Sequence, residues 1–189
     1  DELFANAPRI AVPGDRTTAL ATLRILAGDR KFKWESIDFT TIMDQVHEGQ
    51  YDAGVVIHEG QLSFEENGLF EICDFGKWWQ ERTGLLLPLG GNAIRKDFDK
   101  RYGAGATKEI TALLKKSIEY AMANREKSLA WATKWGRGID IDATDTFVEM
   151  YVNKWTLDFG AQGREAVKRF LSEAASIGAL PEVNEIAFV

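Results

Sequence analysis

The imidazole of His58 is the side chain in this sequence best suited to moving a proton. It follows the apolar run Ala53-Gly54-Val55-Val56-Ile57 and precedes Glu59-Gly60, which places it at the carboxyl end of a strand. Loops leaving the carboxyl ends of strands form the ligand crevice of open α/β sheets. A neutral imidazole near physiological pH can give or take a proton there. The plainer reading is an anchor that hydrogen-bonds its own turn, and the pattern alone leaves both standing. His47, the other histidine, falls in a helical stretch beside Glu48 with no partner at metal-site spacing. It reads as a solvated surface residue.

Thr17 and Thr18 stand at an expected helix start after Pro13-Gly14-Asp15. Free backbone amides and two hydroxyls at such a place suit a carboxylate, although a threonine there also serves as an ordinary N-cap. The turn lacks the glycine and lysine spacing of a dinucleotide or phosphate loop. Gly91 and Asn92, within Gly90-Gly91-Asn92, offer backbone amides and a side-chain amide, as a hinge, a ligand contact or a plain turn. Glu65-Glu66 reads as a solvated pair. Glu59 adjoins His58 but points to the other side of a strand, so it is not assumed to orient the ring. Trp78-Trp79, Trp131 and Trp135 could stack on an aromatic ligand, but aromatics at helical spacing read as core.

These residues need elements to hold them. Arg9-Ile10-Ala11-Val12 reads as a strand closed by Pro13-Gly14, and Leu20, Leu23 and Ala27 as the face of a following helix. A second strand spans Phe32 to Phe39. The next helix is capped by Thr40 or Thr41 and ended by Gly49, and a third strand covers Ala53 to Ile57. Strand, helix, strand, helix, strand is the order of parallel α/β packing. From Leu85 to Ile94 the chain is extended but interrupted by Pro88 and Gly90-Gly91, which fits a crossing segment better than a central strand. Beyond Asp97 the pattern turns helical. One stripe uses Ile110, Leu113, Leu114, Ile118 and Ala121 between about Thr107 and Asn124; another uses Val148, Tyr151, Val152 and Trp155 after a cap at Asp142. Ala166, Val167, Phe170, Leu171 and Ala174 form a third, ended by Gly178 and Pro181, with Glu185 to Val189 as a closing strand. The expected organisation is an α/β lobe with its crossing segment over residues 1–97 and a mostly helical part over 98–189.

Composition narrows the function class. The formal charge of -6, with no Lys/Arg-rich block, gives no support to a nucleic-acid or anionic-membrane role. Cys73 is the only cysteine, so no internal disulfide forms and a thiolate metal site is implausible. No apolar run reaches bilayer length. The expectation is a soluble, cytoplasmic protein of unspecified oligomeric state. The chain opens Asp1-Glu2-Leu3-Phe4 without a methionine and enters a strand almost at once, as expected if an earlier segment is missing.

The string Asp52-Ala53-Gly54-Val55-Val56-Ile57-His58-Glu59-Gly60-Gln61 resembles the central motif of the 1,4-dihydroxy-6-naphthoate synthase family, of the futalosine route of bacterial menaquinone biosynthesis. Ile10-Ala11-Val12-Pro13-Gly14 with Thr17-Thr18-Ala19, Asp74-Phe75-Gly76-Lys77-Trp78-Trp79 and Leu87-Pro88-Leu89-Gly90-Gly91-Asn92 agree in order. Arg125-Glu126, Met150-Tyr151-Val152-Asn153 and Thr156-Leu157-Asp158 extend the likeness over nearly the whole chain. The resemblance implies a type II periplasmic-binding-protein-like two-lobed fold, with an N-terminal first-lobe segment missing here that in the family adds ligand contacts. It implies a lyase converting cyclic dehypoxanthinylfutalosine to 1,4-dihydroxy-6-naphthoate, with no metal or organic cofactor. His58 matches the family's proposed base, and Thr17 and Thr18 lie near the ligand, a small-molecule carboxylate. The related chorismate dehydratase shares the fold but usually lacks this histidine. The alternative is a non-enzymatic solute-binding protein for a small carboxylate on the same fold, which needs no base at that strand end.

Overall fold

The computed structural model describes residues 2–135, 140–183 and 185–189. Asp1, quoted above at the chain start, lies outside them. The elements run β1 (Arg9–Val12), α1 (Thr18–Ala27), β2 (Lys33–Ser36), α2 (Ile42–His47), β3 (Ala53–Gly54) and α3 (Phe75–Thr83). Then follow α4 (Phe98–Tyr102), α5 (Ala106–Ala123), α6 (Arg125–Ala132), α7 (Ile141–Tyr151), α8 (Lys154–Leu157) and α9 (Gly160–Ser176). Contacts divide the chain into two units, one of residues 1–89 and 165–184, the other of residues 90–164 and 185–189. The division falls at Leu89–Gly90 rather than near Asp97, and α9 from Glu165 onward belongs with the first unit.

In the first unit β1 is the middle strand of a three-stranded sheet ordered β2-β1-β3, parallel to both neighbours. Ile10 faces Trp34 on one side and Ala53 on the other, and Ala11 pairs with Glu35 and Gly54. A strand buried on both faces must be apolar throughout, as Ile10-Ala11-Val12 is. Alternation then sends Ile10 and Val12 against Leu20 and Leu23 of α1, and Ala11 against Ile42 of α2. The third strand is shorter than its sequence suggests. After Gly54 only the Val55 amide still reaches across, to the Ala11 carbonyl at 2.9 Å. Gly54 is where α2 comes closest, since a Cβ there would collide with Ile42 and press on Val46. The second strand is likewise trimmed, to Lys33–Ser36.

The outer face of α1 is covered in turn. Ala21 packs with Trp79 of α3 and with Phe170 and Ala174 of α9, bordered by Ile25, Leu87 and Leu171. Trp79 is fully buried, with its ring edge-on to Phe170 at 5.5 Å, so the core reading of this tryptophan holds. Helix α3 was not legible as a stripe. It starts because Asp74 accepts the Lys77 amide at 3.0 Å, and it ends at Gly84 in the left-handed region. Arg82 of α3 donates to Glu173 of α9 at 2.6 Å, and Arg169 donates to the same carboxylate at 2.5 Å.

The second unit is helical. The α5 stripe expected from Thr107 to Asn124 forms, with a start at Ala106, yet none of its residues is buried, and Leu113, Leu114 and Tyr120 are exposed. Helix α6 contacts both α5 and α7 and buries Leu129, and Arg125 forms an ion pair with Asp145. The α7 cap is Asp140, accepting from the Ala143 amide, rather than Asp142. Asn153 and Thr156 close a reciprocal capping box on α8. Two expectations fail here. Trp131 and Trp135 are 62% and 75% exposed and lie near one another at 6.3 Å instead of entering a core. The tail forms no closing strand; Phe188 instead meets Phe159 edge-on at 6.2 Å.

The Glu173 carboxylate is subject to opposing effects. Its burial raises the pKa, but the hydrogen bonds from Arg169 and Arg82 outweigh that and hold it below the usual carboxylate value. A depressed folded pKa stabilises the fold above the unfolded value, and that contribution disappears as pH falls through the folded one. Glu173→Gln should therefore cost about 1 kcal/mol at neutral pH. The variant should also lose less stability than the wild type on acidification. Urea denaturation at pH 7 and in acid checks both; equal losses on acidification would refute the linkage.

Candidate functional site

Parallel pairing sends the loops after β1 and β3 out of the same edge of the sheet. The β1 loop carries Pro13 to Thr17 and the β3 loop carries His58 to Gln61. This brings Thr17, Thr18 and His58 to one edge of the first unit. Gly91 and Asn92 belong to the second unit, both exposed, with Phe159 nearest to Gly91.

Thr17 is the N-cap of α1. Its hydroxyl donates to the Gly14 carbonyl at 2.8 Å and accepts the Leu20 amide at 3.2 Å. The Thr18 hydroxyl donates to the Leu89 carbonyl at 3.1 Å. Both hydroxyl protons are thus engaged with backbone. The groups left over are the amides of Thr18 and Ala19, which a helix start leaves without intrahelical partners.

His58 sits in extended backbone and begins a 3-10 turn, Glu59–Leu62. Its Nδ1 accepts the Gly60 amide at 2.9 Å, so the ring closes its own turn as an anchor would. Its other nitrogen, Nε2, is buried and has no hydrogen-bond partner. Gln61 Nε2, one residue past the glycine, is in the same condition. Leaving a buried donor unpaired costs about 1–3 kcal/mol, and Trp79 Nε1 in the core is also buried without a partner; what distinguishes His58 is its place at the sheet edge. Phe39 lies 5.9 Å from the imidazole, centroid to centroid. A lone glutamine carries no signal in the sequence until its amide is seen to be unpaired.

The remaining candidates fall to structural roles. Glu65 and Glu66 are exposed within a second 3-10 turn, and His47 is exposed at the end of α2. The Cys73 thiol is pushed up by burial and then by Asp74 and the neighbouring glutamates, which disfavours a thiolate. Among the described residues no helix is long and apolar enough to cross a membrane.

The first unit is thus a parallel α/β layer structure whose one-sided edge carries a histidine and a helix start. A family model for menaquinone biosynthesis matches residues 2–176, and the chain belongs to that family. It is 34% identical over 170 residues to a 1,4-dihydroxy-6-naphthoate synthase of Thermus thermophilus, spanning 90% of this chain and 60% of that one. It is 31% identical over 179 residues to the synthase of the same name from Streptomyces coelicolor, covering 93% and 62%. A crystal structure of a protein from Archaeoglobus fulgidus superposes with a TM-score of 0.85 at 33% identity, over 92% of this chain and 64% of that one. The chain therefore spans less than two thirds of the length of these relatives.

Gly60 is the tightest point of the site. A Cβ there would stand 2.5 Å from His58 Cε1 and 2.5 Å from Met43 Sδ, and Met43 is itself buried. Gly60→Ala should destabilise the protein by about 1–3 kcal/mol, the usual range for overpacking. A urea midpoint equal to the wild type's would show that the turn has room to spare.

Proposed function

We propose that this chain serves a 1,4-dihydroxy-6-naphthoate synthase, a cytoplasmic lyase that converts cyclic dehypoxanthinylfutalosine to 1,4-dihydroxy-6-naphthoate. The observation that carries the reading is the buried, unpartnered Nε2 of His58 at the carboxyl edge of the sheet. The names of the relatives support the same product.

In this reading His58 faces the reacting carbonyl of the substrate, and the helix start at Thr17 and Thr18 holds its carboxylate. The fold is the type II periplasmic-binding-protein-like one. The apolar face of α5, with no buried residue of its own, packs toward a first-lobe segment of the kind the family resemblance implies. Opening a sugar-derived ring and aromatising the product needs protons moved next to a carbonyl. A positioned hydrogen-bond donor to that carbonyl contributes about 10²–10³-fold to such a step, and enclosure of the substrate adds orientation.

The test is His58→Asn in the whole protein. Asparagine retains an acceptor near the Nδ1 position, so the turn stays closed and substrate still binds. Turnover at saturating substrate should fall by roughly 10²-fold or more. Near wild-type turnover would return His58 to a turn anchor, and absence of turnover in the wild type would favour a solute-binding protein.

A further inference from the structure

The Gly60 amide decides which nitrogen of His58 carries the proton. An N–H can point only at a lone pair, so Nδ1, which accepts the Gly60 amide at 2.9 Å, is unprotonated. In the neutral imidazole the proton then resides on Nε2. Turning the ring over would set a carbon against the amide and leave a backbone N–H unpaired, so the orientation is determined by the same bond. A side chain at position 60 would disturb this arrangement, because the imidazole and Met43 fill the space where its Cβ would stand.

We infer that His58 meets the ligand as a hydrogen-bond donor through Nε2–H, its tautomer fixed by the Gly60 amide, and that its target is a carbonyl or carboxylate oxygen. The inference rests on the reading that His58 faces the substrate. It differs from the base expected of this histidine, since the lone pair a base would use is already spent on Gly60. To abstract a proton at Nε2 the ring would first have to move its own proton to Nδ1, facing two N–H groups at each other. Donation from Nε2 requires no rearrangement. No covalent step is involved: the Nε2–H bond stays intact while it polarises the oxygen. Gly60 acts as a positioning residue, through the ring it orients.

Nitrogen-15 NMR of histidine-labelled protein reads the tautomer directly, with His58→Asn identifying which of the two histidine spin systems is which. The expected spectrum of neutral His58 has a protonated, pyrrole-type Nε2 and an unprotonated, pyridine-type Nδ1. A protonated Nδ1, or an even mixture, overturns the inference whatever the activity. The ligand side is read by titrating 1,4-dihydroxy-6-naphthoate into the wild type, His58→Asn and His58→Gln. Glutamine places an amide donor near the Nε2 position, whereas asparagine reaches only the Nδ1 position. Asparagine should weaken binding about tenfold and glutamine by about threefold or less, the scale of one hydrogen bond. Equal affinities in both variants would mean that Nε2–H does not touch the ligand, and would overturn the donor role. Failure of the wild type to bind the naphthoate would instead sink the proposed function, with the tautomer still decided by the spectrum.

Discussion

Strand β1 is hydrogen-bonded on both sides and sealed on both faces, and the arrangement of the first unit follows from it. Because both neighbours run parallel to it, every connection between strands must cross back over the sheet, which is why α1 and α2 lie where they do. Parallel strands also place all their outgoing loops at one edge. The cap at Thr17 and the turn at His58 are thereby brought to a common edge by backbone pairing in Ile10 and Ala11, far from either side chain. A polar residue in place of Ile10, Ala11 or Val12 would disturb the sheet and the site together.

The His58 turn combines a satisfied half with an unsatisfied one. The bond from the Gly60 amide to Nδ1 is an ordinary local closure of the sort that stabilises loops. On the opposite side of the ring, Nε2 is buried without a partner, a loss the fold tolerates. Stability and chemistry are divided between two atoms of one side chain. The two readings left open at the sequence level, anchor and reactive group, are compatible for that reason.

Much of the first unit was legible because its signals are local. Apolar runs bounded by Gly14 and Gly60, and a helix start at Thr17-Thr18, announce β1, β3 and α1 without tertiary information. Helix α9 was legible through Ala166, Phe170 and Ala174, which fall on one stripe and are buried along it. Helices α3 and α6 were not, since each buries a single residue, Trp79 and Leu129, and one residue makes no period. Several stretches that carried the family resemblance prove to be architectural. Asp74 and Asn153 are caps and Arg125 pairs with Asp145. Of the candidate site, His58 could be read from its place after a strand. The tautomer could not, because it depends on a 2.9 Å contact between residues two apart that no pattern of residue types encodes.

Trp79 is sealed against Phe170 while Trp131 and Trp135 are open to water, with Trp34, Trp78 and Trp155 between these extremes. Indole emission depends on that environment, so the protein carries its own pair of optical probes. A collisional quencher in the solvent extinguishes Trp131 and Trp135 first, in the second unit. The light that survives comes disproportionately from Trp79 and reports on the core behind α1. Loosening of that core would then appear as newly quenchable emission before any change in the helical signal.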